Sequence, residues 1–569
     1  MLTRGVPQRR LPGWPDLAAT LLVLGVVILL GAGAREMVAP FVAAHQPEIS
    51  LSPSELPLYT LRTIMRMLAA LVASLIFTLT YATLAAKSRT AERILIPLLD
   101  VLQSVPILGY LSFTVLFFVS LFPGNILGPE LAAIFAIFTS QAWNMAFSFY
   151  QSLRTIPSDL DEASRSFRSS AWQRFWRLEV PFAMPGLVWN MMMSMSGGWF
   201  FVVASEAISV GDFQIALPGV GSFVAKAIDQ RDLGAVGWAI LAMTIAIVLY
   251  DQLLFRPLVA WADKFRFEQT AAQVMPRTWV LDLFRHSRLL GRLSAPVGAA
   301  MLRAARARVA FPLKLPTWSH ARTAAVVGTY GLLCVGIVLV GARLIGRAGQ
   351  ALSWEDVWIA SSNGMLTLLR VVVLIALASL IWVPIGVGVG LQPKLRERVQ
   401  PLAQFLAAFP ANLLFPVAVF FIVRFDLGPK LWLSPLMILG TQWYILFNVI
   451  AGASAFPSDF REAAESLRVP RGQWWRKVVL PGIFPYYVTG AITASGGAWN
   501  ASIVSESVRW GPTALSASGL GAYIAERTGA GDYPRIALGV AVMSVLVIVM
   551  NRLLWRPLYA FAERRTRLD

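Results

Sequence analysis

Charged side chains inside apolar stretches are the first place to look for chemistry, because hydrocarbon tolerates them only at a cost. Arg62, Arg66 and Arg370 meet that description, and so do Glu206 and Glu506. Arg66 and Arg370 occupy equivalent places in two similar stretches, and so do the two glutamates; Arg62 has Leu366 as its counterpart. These types suit ion pairs, Arg66 with Glu206 and Arg370 with Glu506, that hold pathway-lining helices together. The alternative is an arginine that draws an anionic solute inward. Trp199, Trp499 and Asn500 follow small residues that let helices approach closely, and they are further lining candidates. For either tryptophan, packing or a lipid-facing place is the plain alternative.

No covalent chemistry is indicated. A single cysteine, Cys334, excludes both a disulfide framework and a cysteine-based metal site. His45, His286 and His320 are scattered without ligand spacing, so no metal is expected. No nucleophile–base pair stands out.

A second set of residues sits in polar loops. Pro157-Ser158-Asp159 precedes Glu162-Ala163-Ser164, and Pro457-Ser458-Asp459 precedes Glu462-Ala463-Ala464. Each places cap-type residues and a carboxylate at the start of a short helix, where the exposed backbone N–H groups favour negative charge. Nineteen residues after each glutamate comes a proline, Pro181 or Pro481, ahead of the next apolar stretch. Between them stand Trp172, Arg174, Trp176 and Arg177, or Trp474, Trp475, Arg476 and Lys477, the aromatic and cationic mixture of a membrane interface.

The elements that position these residues come in two copies. Residues 157–206 and 457–506 align without a gap at 15 identities, and the register persists at Arg256-Pro257-Leu258 and Arg556-Pro557-Leu558. A repeat as long as a domain means tandem duplication. The chain is 57% hydrophobic and 14% charged, whereas a soluble domain carries about 25% charged residues. It is a polytopic membrane protein. Runs of about 20 apolar residues cross the hydrocarbon core. They predict spans at 16–34, 58–86, 94–122, 129–151, 184–208 and 233–257. The second half repeats them at 321–341, 363–391, 401–423, 431–453, 484–508 and 535–557. The formal charge of +18 gathers on the connections that an inside N-terminus leaves in the cytoplasm, so it reports topology and not nucleic acid.

The expected fold is an all-α integral membrane protein of about twelve transmembrane helices. An even number of spans per half makes the two six-helix halves parallel and related by a pseudo-two-fold axis. Residues 1–57 carry the first helix and an outer loop, and 58–268 form the first repeat. Residues 269–320 are a basic linker, 321–360 the first helix and outer loop of the second half, and 361–569 the second repeat. Within the linker, 278–292 and 297–311 read as amphipathic helices bearing Arg285, Arg288, Arg292, Arg303 and Arg306, suited to anionic headgroups. A flexible basic tether is the simpler alternative. No cleavable signal segment is evident, so the first apolar run reads as a retained helix.

The Glu-Ala-Ala pattern with its downstream proline resembles the EAA loop of binding-protein-dependent ABC importer permeases. Trp199 to Glu206 with Gly219-Val220-Gly221, and Trp499 to Glu506 with Gly519-Leu520-Gly521, resemble the nitrate/taurine/bicarbonate branch. The resemblance covers about 58–268 and 361–569 and implies the type I (MetI-like) permease fold. It implies coupling residues Asp159, Glu162, Ala163, Ser164 and Arg168, with Asp459, Glu462, Ala463, Ala464 and Arg468, docked on two copies, or a related pair, of a cytoplasmic ABC ATPase. It further implies an extracytoplasmic binding protein, a bacterial cytoplasmic (inner) membrane with both termini inside, and a small anion, an oxyanion or sulfonate, as solute. One departure stands out: the family's glycine six residues after the glutamate is Arg168 in one half and Arg468 in the other.

No G-x-x-x-x-G-K-[ST] phosphate loop occurs in the chain. Ser196-Gly197-Gly198 invites comparison with an ATPase signature, but it lies within a span. ATP and Mg are therefore expected on partner subunits, with no cofactor on this chain and no enzymatic activity of its own. The rival expectation is an ion-coupled secondary transporter with two parallel six-helix halves.

Overall fold

The computed structural model describes residues 14–36, 49–103, 105–210, 213–265, 278–308, 352–454, 462, 464 and 466–566. The span expected at 321–341 and the residues Asp459 and Ala463 lie outside these.

The first half opens with α1 (Trp14–Glu36), followed by α2 (Leu56–Lys87), α3 (Arg89–Leu102), α4 (Ile107–Leu121) and α5 (Leu127–Arg154). A loop carrying α6 (Ser158–Ser166) and α7 (Ala171–Arg174) leads to α8 (Val180–Glu206), a hairpin of β1 (Ala207–Val210) and β2 (Phe213–Ala216), then α9 (Val220–Asp229), α10 (Leu233–Tyr250) and α11 (Arg256–Ala262). The linker supplies α12 (Trp279–His286) and α13 (Arg288–Arg306).

The second half repeats this order. It runs α14 (Trp354–Gly390), α15 (Pro393–Ala408), α16 (Phe415–Arg424), α17 (Pro429–Trp432), α18 (Leu436–Leu439), α19 (Gln442–Ser454) and α20 (Arg471–Trp474). Then come α21 (Leu480–Ser505), the β3 (Ser507–Trp510) and β4 (Thr513–Ser516) hairpin, α22 (Leu520–Gly529), α23 (Tyr533–Met550) and α24 (Arg556–Thr566). Among the described residues seven helices are long and apolar enough to cross a bilayer, or nine if each bent pair counts as one span.

Two features correct the expectation of uniform spans. Residues 94–122 and 401–423 are not straight helices: each breaks before a proline, Pro106 or Pro410, whose nitrogen carries no donor. The second-half pieces diverge by 79°. The break lets the later piece cross to the other half. Ile107 donates its backbone N–H to Asn500 Oδ1 (2.7 Å), and Asn412 Nδ2 donates to Phe200 O (3.1 Å). These are pseudo-symmetric contacts, and they knit the halves into one core: Ile107, Leu108 and Leu111 pack with Ile503 and Tyr523.

The second feature is the pair of antiparallel hairpins, Ala207↔Ala216 to Val210↔Phe213 and Ser507↔Ser516 to Trp510↔Thr513, at the ends of α8 and α21. Each carries a short alternation about a turn-type pair of residues, Gly211-Asp212 or Gly511-Pro512, with Val508 and Trp510 set against Ser507 and Arg509, a signal that sequence reading passed over.

Prolines also shape the helices that do run on. π-Helical turns at Phe175–Glu179, Asp251–Phe255, Trp475–Val479 and Asn551–Trp555 each precede a proline two residues later. The wider turn accommodates the ring that would otherwise meet the carbonyl four residues back.

The linker helices divide at Ser287 and not near residue 292. The Ser287 hydroxyl accepts from Leu290 N and donates to Asp16 Oδ1 (3.0 Å), so α13 starts there, capped by the first helix of the chain. At its other end, Trp172 Nε1 donates to Ala304 O (2.8 Å) and Gln173 Nε2 to Arg306 O (2.7 Å). The linker therefore straps α1 to the loop after α6.

Candidate functional site

Both loop helices end in the same way. After α6, Phe167 and Arg168 turn the chain, with Arg168 at φ 49° and Arg468 also at φ 49°. Ser169 N donates to Ser164 O (3.2 Å), Arg168 N to Arg165 O (2.8 Å), and in the second half Val469 N donates to Ala464 O (2.9 Å). This is the hydrogen-bond pattern of a helix closed by a left-handed residue, a place that favours glycine. The departure seen in the sequence therefore changes the residue and leaves the turn intact. An arginine there costs about 1 kcal/mol relative to glycine.

Asp159, Glu162, Ala163 and Arg168 are exposed and Ser164 is half-buried; Glu462 and Arg468 are exposed and Ala464 half-buried. The tip of each loop adds a large apolar residue that sequence reading passed over. Phe167 is 83% exposed and Leu467 77%. The signal was available: an apolar side chain at the same repeat position, inside an otherwise polar loop.

The first loop is anchored by an ion-pair relay. Asp161 binds Arg165 (2.7 Å) and Arg174 (3.3 Å), Arg174 reaches Glu179 (3.4 Å), and Glu179 binds Lys87 at the end of α2 (2.9 Å). The equivalent positions 174 and 179 in the second half are Trp474 and Val479, so that relay is not repeated.

At the opposite end of α8, Arg66 is fully buried. Its NH1 meets Glu206 Oε1 at 2.6 Å, its Nε and NH2 meet Glu130 at 2.6 and 2.7 Å, and NH2 also donates to Pro218 O at 3.0 Å. Glu206 further accepts from Thr63 Oγ1 (2.7 Å) and Gly221 N (2.7 Å). In the second half Arg370 NH1 meets Glu506 Oε1 at 2.7 Å, and Glu506 accepts from Thr367, Gly521 N and Ala522 N at 2.9, 2.8 and 3.2 Å. Each glutamate thus caps a helix N-terminus, α9 or α22, and ties it to the second span. The glycine pairs follow from this closeness. A Cβ at Gly219 or Gly519 would overlap the glutamate carboxylate, and one at Gly221 or Gly521 would overlap the carbonyl of Val203 or Ser502. Glu130 escaped sequence reading because it stands at the edge of its span; it has no acidic counterpart in the second half at either repeat offset, where Lys430 and Ser434 stand.

Between the halves lies a cavity of about 520 Å³. α8 contributes Trp189, Met193 and Phe200 to its wall, and α21 contributes Thr489, Thr493 and Asn500. Trp199 and Trp499, expected on the pathway, are both 1% exposed and point away from this cavity. One residue along a helix turns about 100°, so with Phe200 and Phe201, and Asn500 and Ala501, facing the cavity, the preceding Trp199 and Trp499 fall on the side of the helix bundle. Trp199 packs edge-on against Tyr250 at 5.6 Å and borders a smaller side cavity. Arg66, Arg370, Glu206 and Glu506 are also absent from the central wall. Of the expected lining residues, Asn500 reaches it.

A family model, described as binding-protein-dependent transport system inner membrane component, matches residues 76–256 and again 356–567. Those two matches cover well over half of the chain. The chain belongs to this family. It carries two fused copies of the family's domain, one in each half. It is similar to the bicarbonate transport system permease protein CmpB of Synechococcus elongatus, 30% identical over 166 residues, 29% of this chain and 55% of that protein. It is similar also to the glycine betaine/proline betaine transport system permease protein ProW of Escherichia coli K12, 28% identical over 34% of this chain and 50% of that protein. The nitrate import permease protein NrtB of Leptolyngbya laminosa is 24% identical over 36% of this chain and 67% of its own length. The chain spans about half the length of the first of these relatives. All three are named as permease components of transporters.

Proposed function

We propose that this chain forms the transmembrane pathway of an ATP-driven importer that moves a small solute into the cytoplasm by alternating access. Separate ATPase subunits, holding ATP and Mg, would dock on the two loop helices, and an extracytoplasmic binding protein would deliver the solute. The observation that carries this reading is the pair of loops. Each presents an exposed glutamate, Glu162 or Glu462, beside an exposed apolar tip, Phe167 or Leu467, on a helix closed by the same left-handed turn. A short helix that starts after Pro157 without a side-chain cap, and is closed at its far end by the left-handed turn, suits with its apolar knob and carboxylate a groove that offers an apolar floor and a cation. Burying either tip removes a large apolar surface from water, worth about 2 kcal/mol. Orientation with both loops and both termini in the cytoplasm of a bacterium accords with the basic connections.

A small anion is the solute that the relatives named for bicarbonate and nitrate favour. A second reading, a solute without net charge, is favoured by the wall of the central cavity, whose described residues include no Lys, Arg, His, Asp or Glu.

Replacing Glu162 and Glu462 together by Lys tests the coupling. The expected result is loss of ATPase co-purification and of ATP-dependent uptake, with unchanged membrane insertion. Uptake that persists without any ATPase, driven by an ion gradient, would instead establish the secondary-transporter alternative.

A further inference from the structure

Building on the importer reading, we infer that the central passage selects an uncharged organic solute with a flat apolar face and a hydrogen-bond-donating edge. At three equivalent repeat positions α8 and α21 present opposite chemistry to the cavity: Trp189 against Thr489, Met193 against Thr493, Phe200 against Asn500. At these positions α8 is aromatic and thioether, beside the polar Asn190 and Ser194 that share the lining, and Trp189 stacks on Phe447 across the halves at 5.5 Å and 25°. A rigid aromatic face of this kind receives a flat ring.

The second-half wall is polar in a particular sense. The Thr489 and Thr493 hydroxyls donate to Pro485 O and Thr489 O at 3.0 Å each, so their single protons are engaged and their lone pairs remain. Asn500 Nδ2 donates to Gly496 O (3.2 Å) while Oδ1 takes the Ile107 N–H (2.7 Å). That row of hydroxyls therefore offers acceptors. An anion such as nitrate, which carries acceptors only, meets lone pairs there, and no small anion meets a cation among the described lining residues to offset the loss of its water. A solute with N–H or O–H groups on one edge and a ring beside them satisfies both walls at once. A cavity of about 520 Å³ holds such a molecule with room to pass.

The test uses the full chain in proteoliposomes with its ATPase and binding protein, the ATPase side supplied with ATP. Two isotope-labelled sets are offered: nicotinamide, benzamide and uracil, and nitrate, bicarbonate and ethanesulfonate. The expected result is ATP-dependent accumulation of at least one ring compound and of none of the anions. Thr493→Val, which keeps the shape and removes the acceptor, lowers that accumulation roughly fivefold, and Trp189→Ala lowers it as well. Accumulation of any of the three anions overturns the inference and leaves the importer reading standing. Full-rate uptake of a ring compound by both variants also overturns it, because the walls would then take no part. If none of the six compounds accumulates in an ATP-dependent way, the inference is overturned, while the importer reading is judged separately by whether the ATPase co-purifies with the chain and is lost on replacing Glu162 and Glu462.

Discussion

Arg66→Leu is expected to be far more damaging than Arg370→Leu, although the two arginines hold the same repeat position. Arg66 has no exposed surface and joins two carboxylates, Glu130 and Glu206, through three hydrogen bonds of 2.6–2.7 Å. Its removal leaves both acids buried. Glu206 keeps Thr63 and Gly221 N–H, but the carboxylate contacts found for Glu130 among the described residues all go to Arg66. Breaking a buried pair by deleting one partner costs about 3–5 kcal/mol, and the orphaned second acid puts this site at the upper end. Arg370 is 18% exposed and has Glu506 as its carboxylate. After Arg370→Leu, Glu506 still accepts from Thr367, Gly521 and Ala522. The loss is then of one charge-assisted hydrogen bond, about 1.5–3 kcal/mol. The difference of about 2 kcal/mol is read from the apparent melting temperatures of detergent-purified variants. Glu130→Gln added to Arg66→Leu removes the worst of the orphaned charge and is expected to recover about half of the loss, a coupling that only contacting residues show. Equal melting temperatures for the two leucine variants, or no recovery on adding Glu130→Gln, would refute the account of an asymmetric clamp.

Gly221→Ala and Gly521→Ala place a methyl group on the carbonyls of Val203 and Ser502; each is expected to cost about 1–3 kcal/mol in the same melting assay, whereas Gly237→Ala, where nothing lies within 4 Å, is expected to cost nothing. Arg168→Gly relieves a left-handed arginine at φ 49° and is expected to steady α6 by about 0.5–1 kcal/mol, visible as slower hydrogen exchange of its amides. Trp172→Phe removes the hydrogen bond to Ala304 O; trypsin cleavage after Arg303 and Arg306 is then expected to quicken roughly fivefold, and an unchanged cleavage rate would mean that the strap is held elsewhere.

The duplication, the apolar spans and the loop glutamates were legible in the sequence because each is a matter of residue type at fixed spacing. The pairing of Arg66 with Glu206 and of Arg370 with Glu506 was legible for the same reason: buried charges of opposite sign at matched positions have few places to go. What escaped was geometry that depends on a neighbour in space. Glu130 reads as a span-edge acid until its helix is laid against α2. Pro106 and Pro410 lay inside runs read as unbroken spans, and nothing in residue type said that the chain beyond each would cross to the other half and take Asn500 or Phe200 as partner. Trp199 and Trp499 were drawn to the pathway by their spacing from small residues. Helical phase turned them away, and it brought Trp189 and Thr489 forward in their place.

The halves differ along the cavity that they share, at Trp189 and Thr489, Met193 and Thr493, and Phe200 and Asn500. In a symmetric dimer the residue at 189 and the residue at 489 would be the same, so the passage would present two like walls and suit a symmetric or very small solute. Fusion frees each wall to change alone. The clamp and the loop tips, which each half uses by itself, kept their chemistry: Glu206 with Glu506, Gly221 with Gly521, Phe167 with Leu467. The anchorage of the loops was also free to diverge, and it did, with Arg174 and Glu179 in one half and Trp474 and Val479 in the other. If both loops bind identical ATPase subunits, a stroke delivered equally at the two tips enters one half through a chain of ion pairs and the other through apolar packing. Salt weakens the first route and leaves the second. Raising the ionic strength is therefore expected to reduce coupling in a variant whose second loop is disabled by Glu462→Lys more than in one disabled at the first by Glu162→Lys. The ratio of uptake to ATP hydrolysis measures this, and an equal salt response in the two variants would show that the ion-pair relay carries none of the stroke.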